Sequence, residues 1–192
     1  MINTKVEYVE YMKKLETFLS GTHSTDQYIQ LIKEITGIEF DNKHPMYDFY
    51  VAPASSKFHG CFVNGLVKHS LYVYYCALKL CAAFGIKPED IDANACIFHD
   101  LVKANLYQPL KIGVGYTYNK DAITLPHGSE SLRRMSKYGI PISSEAWEMA
   151  VAYHMGAFEH DNMSMYGNAC EKYKEVLLLH TADMMATKIY KN

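Results

Sequence analysis

The chain has 192 residues, 49% of them hydrophobic, and a formal net charge of -2 with a pI near 6.5. That length and apolar content predict one domain, able to bury a core without disulfides or a structural metal. The slightly acidic balance provides no basic face for a long nucleic-acid polymer, whereas a mononucleotide or short oligonucleotide stays open as a partner.

In chain order, Val9, Met12, Leu15, Glu16 and Leu19 carry the three-and-four spacing of a helix over Thr4 to Leu19, ended by Ser20-Gly21. Ser24-Thr25-Asp26-Gln27 has the form of a capping box, and Tyr28, Leu31, Ile32 and Ile35 supply the apolar face of a second helix that Gly37 closes. From Ile38 to Phe58 the periodicity is lost among Asp41, Asn42, Pro45, Pro53 and Ser55-Ser56, which predicts a long ordered loop. Helices are expected near Val63 to Phe84, Pro88 to Asn105, Gly128 to Tyr138, Ser144 to Met155 and Ala169 to Tyr190, with breaks at Gly85, Pro88 and Gly139-Ile140-Pro141. Between them, Leu106 to Pro126 places Gly113 and Gly115 among Tyr107, Tyr116 and Tyr118, the composition of a short hairpin or an active-site loop. The expected fold is therefore all-α, with residues 1-57 as N-terminal helices and loop and residues 58-192 as the chemically active helical core.

Five cysteines, Cys61, Cys76, Cys81, Cys96 and Cys170, form no C-x-x-C pair, and four sit in apolar helical runs. They read as reduced thiols of a cytoplasmic protein. The first residues hold no apolar signal core, and Asn64, Lys68, His69 and Lys79 interrupt the longest apolar stretch, so neither secretion nor a membrane span is expected.

Six side chains on or beside these helices form a ligand set for a pair of divalent cations: His69, His99, Asp100, His127, His154 and Asp183. Singly, each histidine reads as a hydrogen-bonded core residue. Asp183, however, lies in Leu177-Leu178-Leu179-His180-Thr181-Ala182-Asp183-Met184-Met185, where an unpaired carboxylate is costly to bury and a metal supplies the counter-charge. Adjacent helical residues diverge by about 100°. His99 and Asp100 therefore do not chelate one ion side by side as an i, i+4 pair does; an aspartate can instead bridge two ions about 3.5 to 4 Å apart while its neighbour serves one.

His69, then His99-Asp100, then Asp183, on separate predicted helices, resemble the H…HD…D signature of the HD superfamily of metal-dependent phosphohydrolases. The resemblance covers roughly Phe58 to Tyr190 and extends to Gly65-Leu66-Val67-Lys68-His69-Ser70, Leu125-Pro126-His127-Gly128 and Tyr153-His154-Met155-Gly156, which look like stretches of small bacterial and phage HD proteins. More distantly they are similar to the HD domain of a bacterial 3′-to-5′ exoribonuclease. It implies an HD-type helical bundle, with His127 and His154 completing a second metal site; the mixed nitrogen and oxygen ligands suit manganese, iron, cobalt or nickel as cofactor. It also implies a substrate-reaching role for His59, ten residues before His69. His99-Asp100-Leu101-Val102-Lys103 keeps the lysine of the usual H-D-I-G-K run but lacks its glycine, and no G-Y-P follows, which disfavours cyclic-di-GMP hydrolysis.

The function implied is hydrolysis of a phosphomonoester or phosphodiester of a nucleotide or short oligonucleotide, with Asp100 and Lys103 catalytic and Lys103 and His59 at the substrate. Lys103, one turn after Asp100, either reaches a phosphate or steadies a carboxylate. The same six ligands also resemble the di-iron oxygenases of the superfamily, such as myo-inositol oxygenase, and a non-catalytic nucleotide-binding module is the remaining alternative. His180 reads as a packing or supporting residue, Trp147 as an anchor for its helix, and Lys13-Lys14 and Arg133-Arg134 as solvated helix faces. His23, His44 and His160 have no motif context.

Overall fold

A computed structural model describes residues 5-122, 124-158 and 163-190. The described part of the first expected helix is α1, Lys5–Ser20; Thr4 and His160 lie outside the described residues. Leu15 and Leu19 are buried and Val9 is exposed, so the apolar stripe meets the core along the C-terminal half of α1. Helix α2, Thr25–Thr36, opens on the expected capping box, with Gln27 N donating to Ser24 Oγ and Ser24 N to Gln27 Oε1, and ends on Gly37 at φ 74°.

The expected loop from Ile38 to Phe58 contains a short helix, α3, Asp48–Val51, with Phe49 and Tyr50 fully buried. Four residues are too few to show a helical repeat. Helix α4, Gly65–Leu80, follows and is the centre of the molecule: apart from Lys68, Lys79 and Leu80, every residue in it is buried. A helix apolar on all sides needs neighbours on all sides. Helix α4 packs against α1, α3, α5 (Ala93–Phe98) and α9 (Lys174–Lys188). Asn64, just before it, is the one non-glycine residue with positive φ among the described residues, and its amide donates to Tyr50 O and Thr25 Oγ1, tying the start of α4 to α2 and α3.

The helix expected over Pro88 to Asn105 is three pieces: a 3-10 turn at Pro88–Asp90, α5, and a second 3-10 turn at Leu101–Asn105. Asp92 starts α5, its Oδ1 accepting from Ala95 N while Oδ2 accepts from Ser143 N, so the cap is also a tertiary tie. The tyrosine-rich segment forms an antiparallel hairpin, β1 (Tyr107–Pro109) with β2 (Tyr116–Tyr118), in which Tyr107 faces Tyr118.

Helices α6 (His127–Lys137) and α7 (Glu145–Tyr153) agree with the expected positions, and Ser144 caps α7. The single helix expected from Ala169 to Tyr190 is two, α8 (Met163–Lys172) and α9, separated by Tyr173 at φ -131°, ψ 107°. Trp147 anchors α7 as expected, buried and donating from Nε1 to Asp90 O. One continuous core joins Leu15, Leu19 and Ile32 of the N-terminal helices to Leu66, Phe98, Val151 and Leu178. All five cysteines are free, with Cys76, Cys81 and Cys96 buried. No helix among the described residues is long and apolar enough to cross a membrane.

Candidate metal centre

The six expected ligands come from five places in the fold and meet around one carboxylate. His69 is in the second turn of α4, Asp183 is in α9, His99 and Asp100 follow α5, His127 begins α6 and His154 follows α7. Four of the six thus stand at helix ends, where the chain is released from helical spacing. Asp100 itself has φ -104° and ψ 23°, which breaks the helix and returns its carboxylate toward its neighbour, leaving His99 Nε2 at 3.4 Å from Asp100 Oδ2.

The two oxygens of Asp100 face different groups. His69 Nε2 lies 3.6 Å from Oδ2, and Asp183 Oδ1 lies 3.1 Å from His69 Nε2, so His69, His99 and Asp183 gather on the Oδ2 side. His127 Nε2 at 2.5 Å and His154 Nε2 at 3.4 Å gather on Oδ1. The Lys103 ammonium also approaches Oδ2, at 2.6 Å, one turn along the chain.

Backbone carbonyls fix the imidazoles. His99 Nδ1 lies 2.8 Å from Cys96 O and His154 Nδ1 lies 2.7 Å from Val151 O. A carbonyl only accepts, so each Nδ1 carries the proton and each Nε2 presents a lone pair to the centre. The Nε2 atoms of His69, His99 and His154 are buried and make no hydrogen bond. Three buried imidazole nitrogens gathered with two carboxylates are costly to leave unpaired, and the cluster could hold a divalent cation. His69, His99 and Asp183 form one group with metal-ligand spacing, and His99, Asp100 and His154 form a second.

Burial opposes every charge here, and partners decide each balance. It would raise Asp100, but Lys103, His99 and His127 outweigh it and hold the carboxyl well below its ordinary range. Asp183 is likewise held down, by His69 against burial. Burial would lower Lys103, yet the carboxylates of Asp100 and Asp183 keep the ammonium protonated, with a smaller contribution from Tyr118. For His59, burial, then His69 and Lys103, outweigh the smaller opposing effects of Asp183 and Asp100 and push it down to about 4, so its ring is neutral near pH 7.

His59 and Lys103 line a cleft of about 790 Å³ whose floor includes His154 and Asp183. His59 Nε2 is buried there without a hydrogen-bond partner, and its ring centroid is 5.1 Å from that of His69. His180 lines the same cleft and supports the centre: its Nδ1 bonds His154 O at 2.7 Å. His23 stacks on Phe18 and His44 on Phe40, which makes both of them packing residues.

The Arg133-Arg134 pair divides, correcting the expectation of a solvated face for both. Arg133 is exposed, but Arg134 is buried, with Nε on Glu130 Oε1 at 2.8 Å and Nη1 on Asn105 Oδ1 at 2.7 Å and Leu101 O at 3.2 Å. Ser131 Oγ accepts from Val102 N in the same seam. These bonds join α6, which begins with His127, to the turn that begins after Asp100. A Glu-x-x-x-Arg spacing reads as a surface pair in sequence, and no local signal marks it as a clamp.

A close backbone contact sets the other side of α6. A Cβ on Gly128 would stand 2.3 Å from Val151 O and 2.4 Å from Ala152 O, so glycine brings the start of α6, with His127, against the end of α7, with His154. Gly128→Ala is expected to cost about 1–3 kcal/mol, the scale of overpacking, and to weaken metal binding at the His127 and His154 side. Denaturant unfolding and metal titration check both effects; an unchanged midpoint would mean that the helices separate without strain. No protein-family model, curated protein or solved structure matches this chain.

Proposed function

We propose that the chain is a metal-dependent phosphohydrolase of the HD type that cleaves a phosphomonoester or phosphodiester of a nucleotide or short oligonucleotide. The observation that carries this reading is the division of Asp100, with Oδ2 facing His69, His99 and the Asp183 side and Oδ1 facing His127 and His154. The donor set fits two ions of mixed nitrogen and oxygen preference, manganese, iron, cobalt or nickel. His69, His99 and Asp183 would hold one with Asp100 Oδ2, and His127 and His154 the other with Oδ1. When bound, the ions supply Lewis acidity and an acidified water.

The remaining steps belong to the chain. Asp100 positions the attacking water. Lys103, protonated and facing the cleft, neutralises a non-bridging phosphate oxygen. His59 presents a neutral ring to a polar substrate group. Lys57 and Lys188 add positive charge, while Phe58, Met155, Phe158 and Met184 give the cleft apolar walls suited to a base. Its volume is within the range of small-ligand sites, about 300–1,000 Å³. The free cysteines fit a reducing, cytoplasmic setting.

The test is metal analysis of anaerobically purified protein, followed by phosphatase and phosphodiesterase panels with each of the four metals. Ester turnover is expected. Bound iron with oxygen consumption and no ester turnover would support an oxygenase instead, and tight nucleotide binding with no turnover under any metal a binding module. Lys103→Met is expected to keep the metals and to lower catalysis by about 1.5–3 kcal/mol, the scale of a lost charge-assisted hydrogen bond. A fall in kcat alone places the ammonium at the transition state, and a rise in KM alone makes it a substrate anchor. No change in either would leave Lys103 only the task of steadying Asp100.

A further inference from the structure

Lys57 and Phe58 stand between two cavities. One is the cleft over Lys103 and Asp183; the other, about 400 Å³, lies between Ser55-Ser56 and the hairpin residues Tyr107, Tyr116 and Tyr118. The hairpin begins just after the turn that carries Lys103, and β1 packs on that turn. The two cavities share Lys57 and Phe58, and Tyr118 of the second lies near enough to Lys103 to act on its ammonium.

The loop that separates them is pinned. Ser55 Oγ donates to His59 O and accepts from Phe58 N, both at 2.8 Å, and Ala54 N donates to Gly60 O at 2.9 Å. Gly60 has φ 62°, and a Cβ there would lie 2.7 Å from Ala54 Cβ, so the loop closes tightly. On this fixed support the Phe58 ring is 82% exposed, and across the cavity Tyr118 is 58% exposed. Rings held in water at a junction of cavities are surfaces for a planar group to cover.

We propose that the second cavity binds one arm of a phosphodiester, a nucleoside whose base stacks among Phe58, Tyr116 and Tyr118 while the other arm occupies the main cleft and the phosphate between them lies at Lys103. This rests on the hydrolase reading and selects the diester over the monoester: a monoester has one arm, and two cavities meeting near one phosphate-binding lysine accommodate two. In the reaction the water oxygen bonds to phosphorus, one ester P–O bond breaks and the departing oxygen takes a proton, giving a phosphomonoester and an alcohol.

The full chain, treated with chelator so that no turnover occurs, is titrated calorimetrically with the dinucleotide ApA and with 5′-AMP. ApA is expected to bind at least about ten-fold more tightly, as one additional stacked base supplies. Tyr118→Leu should narrow that gap about five-fold or more, and Tyr118→Phe, which keeps the ring, should preserve it. Equal affinities, absence of binding by both, or a gap indifferent to Tyr118→Leu would overturn the proposal. Turnover is scored separately on manganese-loaded protein. An affinity gap with no ester turnover sinks the hydrolase reading and keeps the subsite, whereas AMP turnover without a gap does the reverse.

Discussion

Asp100→Ala is expected to retain no divalent metal and to turn over no phosphate ester. The side chain is completely buried, and both of its oxygens face imidazole nitrogens, so no other carboxylate can replace it between the two groups. The variant also leaves the Lys103 ammonium, mostly buried, without its 2.6 Å partner. Removing one member of a buried pair costs about 3–5 kcal/mol, and the metal-free variant should lose stability at the low end of that range because Lys103 still reaches the cleft. Alanine's helix propensity gives little back, since Asp100 sits in the break between α5 and the following turn. Asp100→Asn separates the effects: it preserves shape, so the fold should hold while metal is still lost. Full metal occupancy in Asp100→Asn would remove Asp100 from the ligand set.

Glu130→Ala should destabilise the protein by about 3 kcal/mol, the lower end for an orphaned buried charge, because Arg134 keeps its acceptors at Leu101 and Asn105. For a chain of this size that is a fall in melting temperature of roughly 6–12 °C. The loss should reach the site as well, since the seam holding His127 against Asp100 is released. Arg133 first, helped by Arg134, outweighs the opposing effect of burial and holds the Glu130 carboxyl down to about 2. A depressed carboxylate contributes stability that is fully present above its ordinary 4.5 and is lost as pH falls from there toward 2. The parent should therefore weaken across that acid window more steeply than Glu130→Ala. Parallel acid-unfolding curves for the two proteins, or a stability difference below about 1 kcal/mol at neutral pH, would show that the clamp contributes nothing.

His69 and Asp183 were legible as candidate ligands because each is a polar residue in an otherwise apolar run, whereas His127, at the start of a polar helix, was placed only by the resemblance. His69 lies in a helix buried on nearly every side, and Asp183 follows a run of leucines, so periodicity placed both while burial made them conspicuous. The capping box of α2, the glycine after it and a helix start at Ser144 were readable from local sequence. What could not be read depends on distant partners. The break at Asp100 accompanies a carboxylate turned toward side chains from three other segments, and Pro88 to Asn105 retains an unbroken apolar pattern that gives no sign of it. Tyr173 divides α8 from α9 without a glycine or proline. Arg134 is buried only because Leu101 and Asn105, some thirty residues earlier, come to meet it.

The most direct measurement is the number of metal ions per chain, by elemental analysis of protein loaded with manganese and freed of excess, in the parent and in His127→Ala. Two ions per chain are predicted for the parent and one for the variant, since His127 serves only the Oδ1 side of Asp100. Fewer than one ion in the parent, or the same number in both proteins, would contradict a two-metal centre built around Asp100.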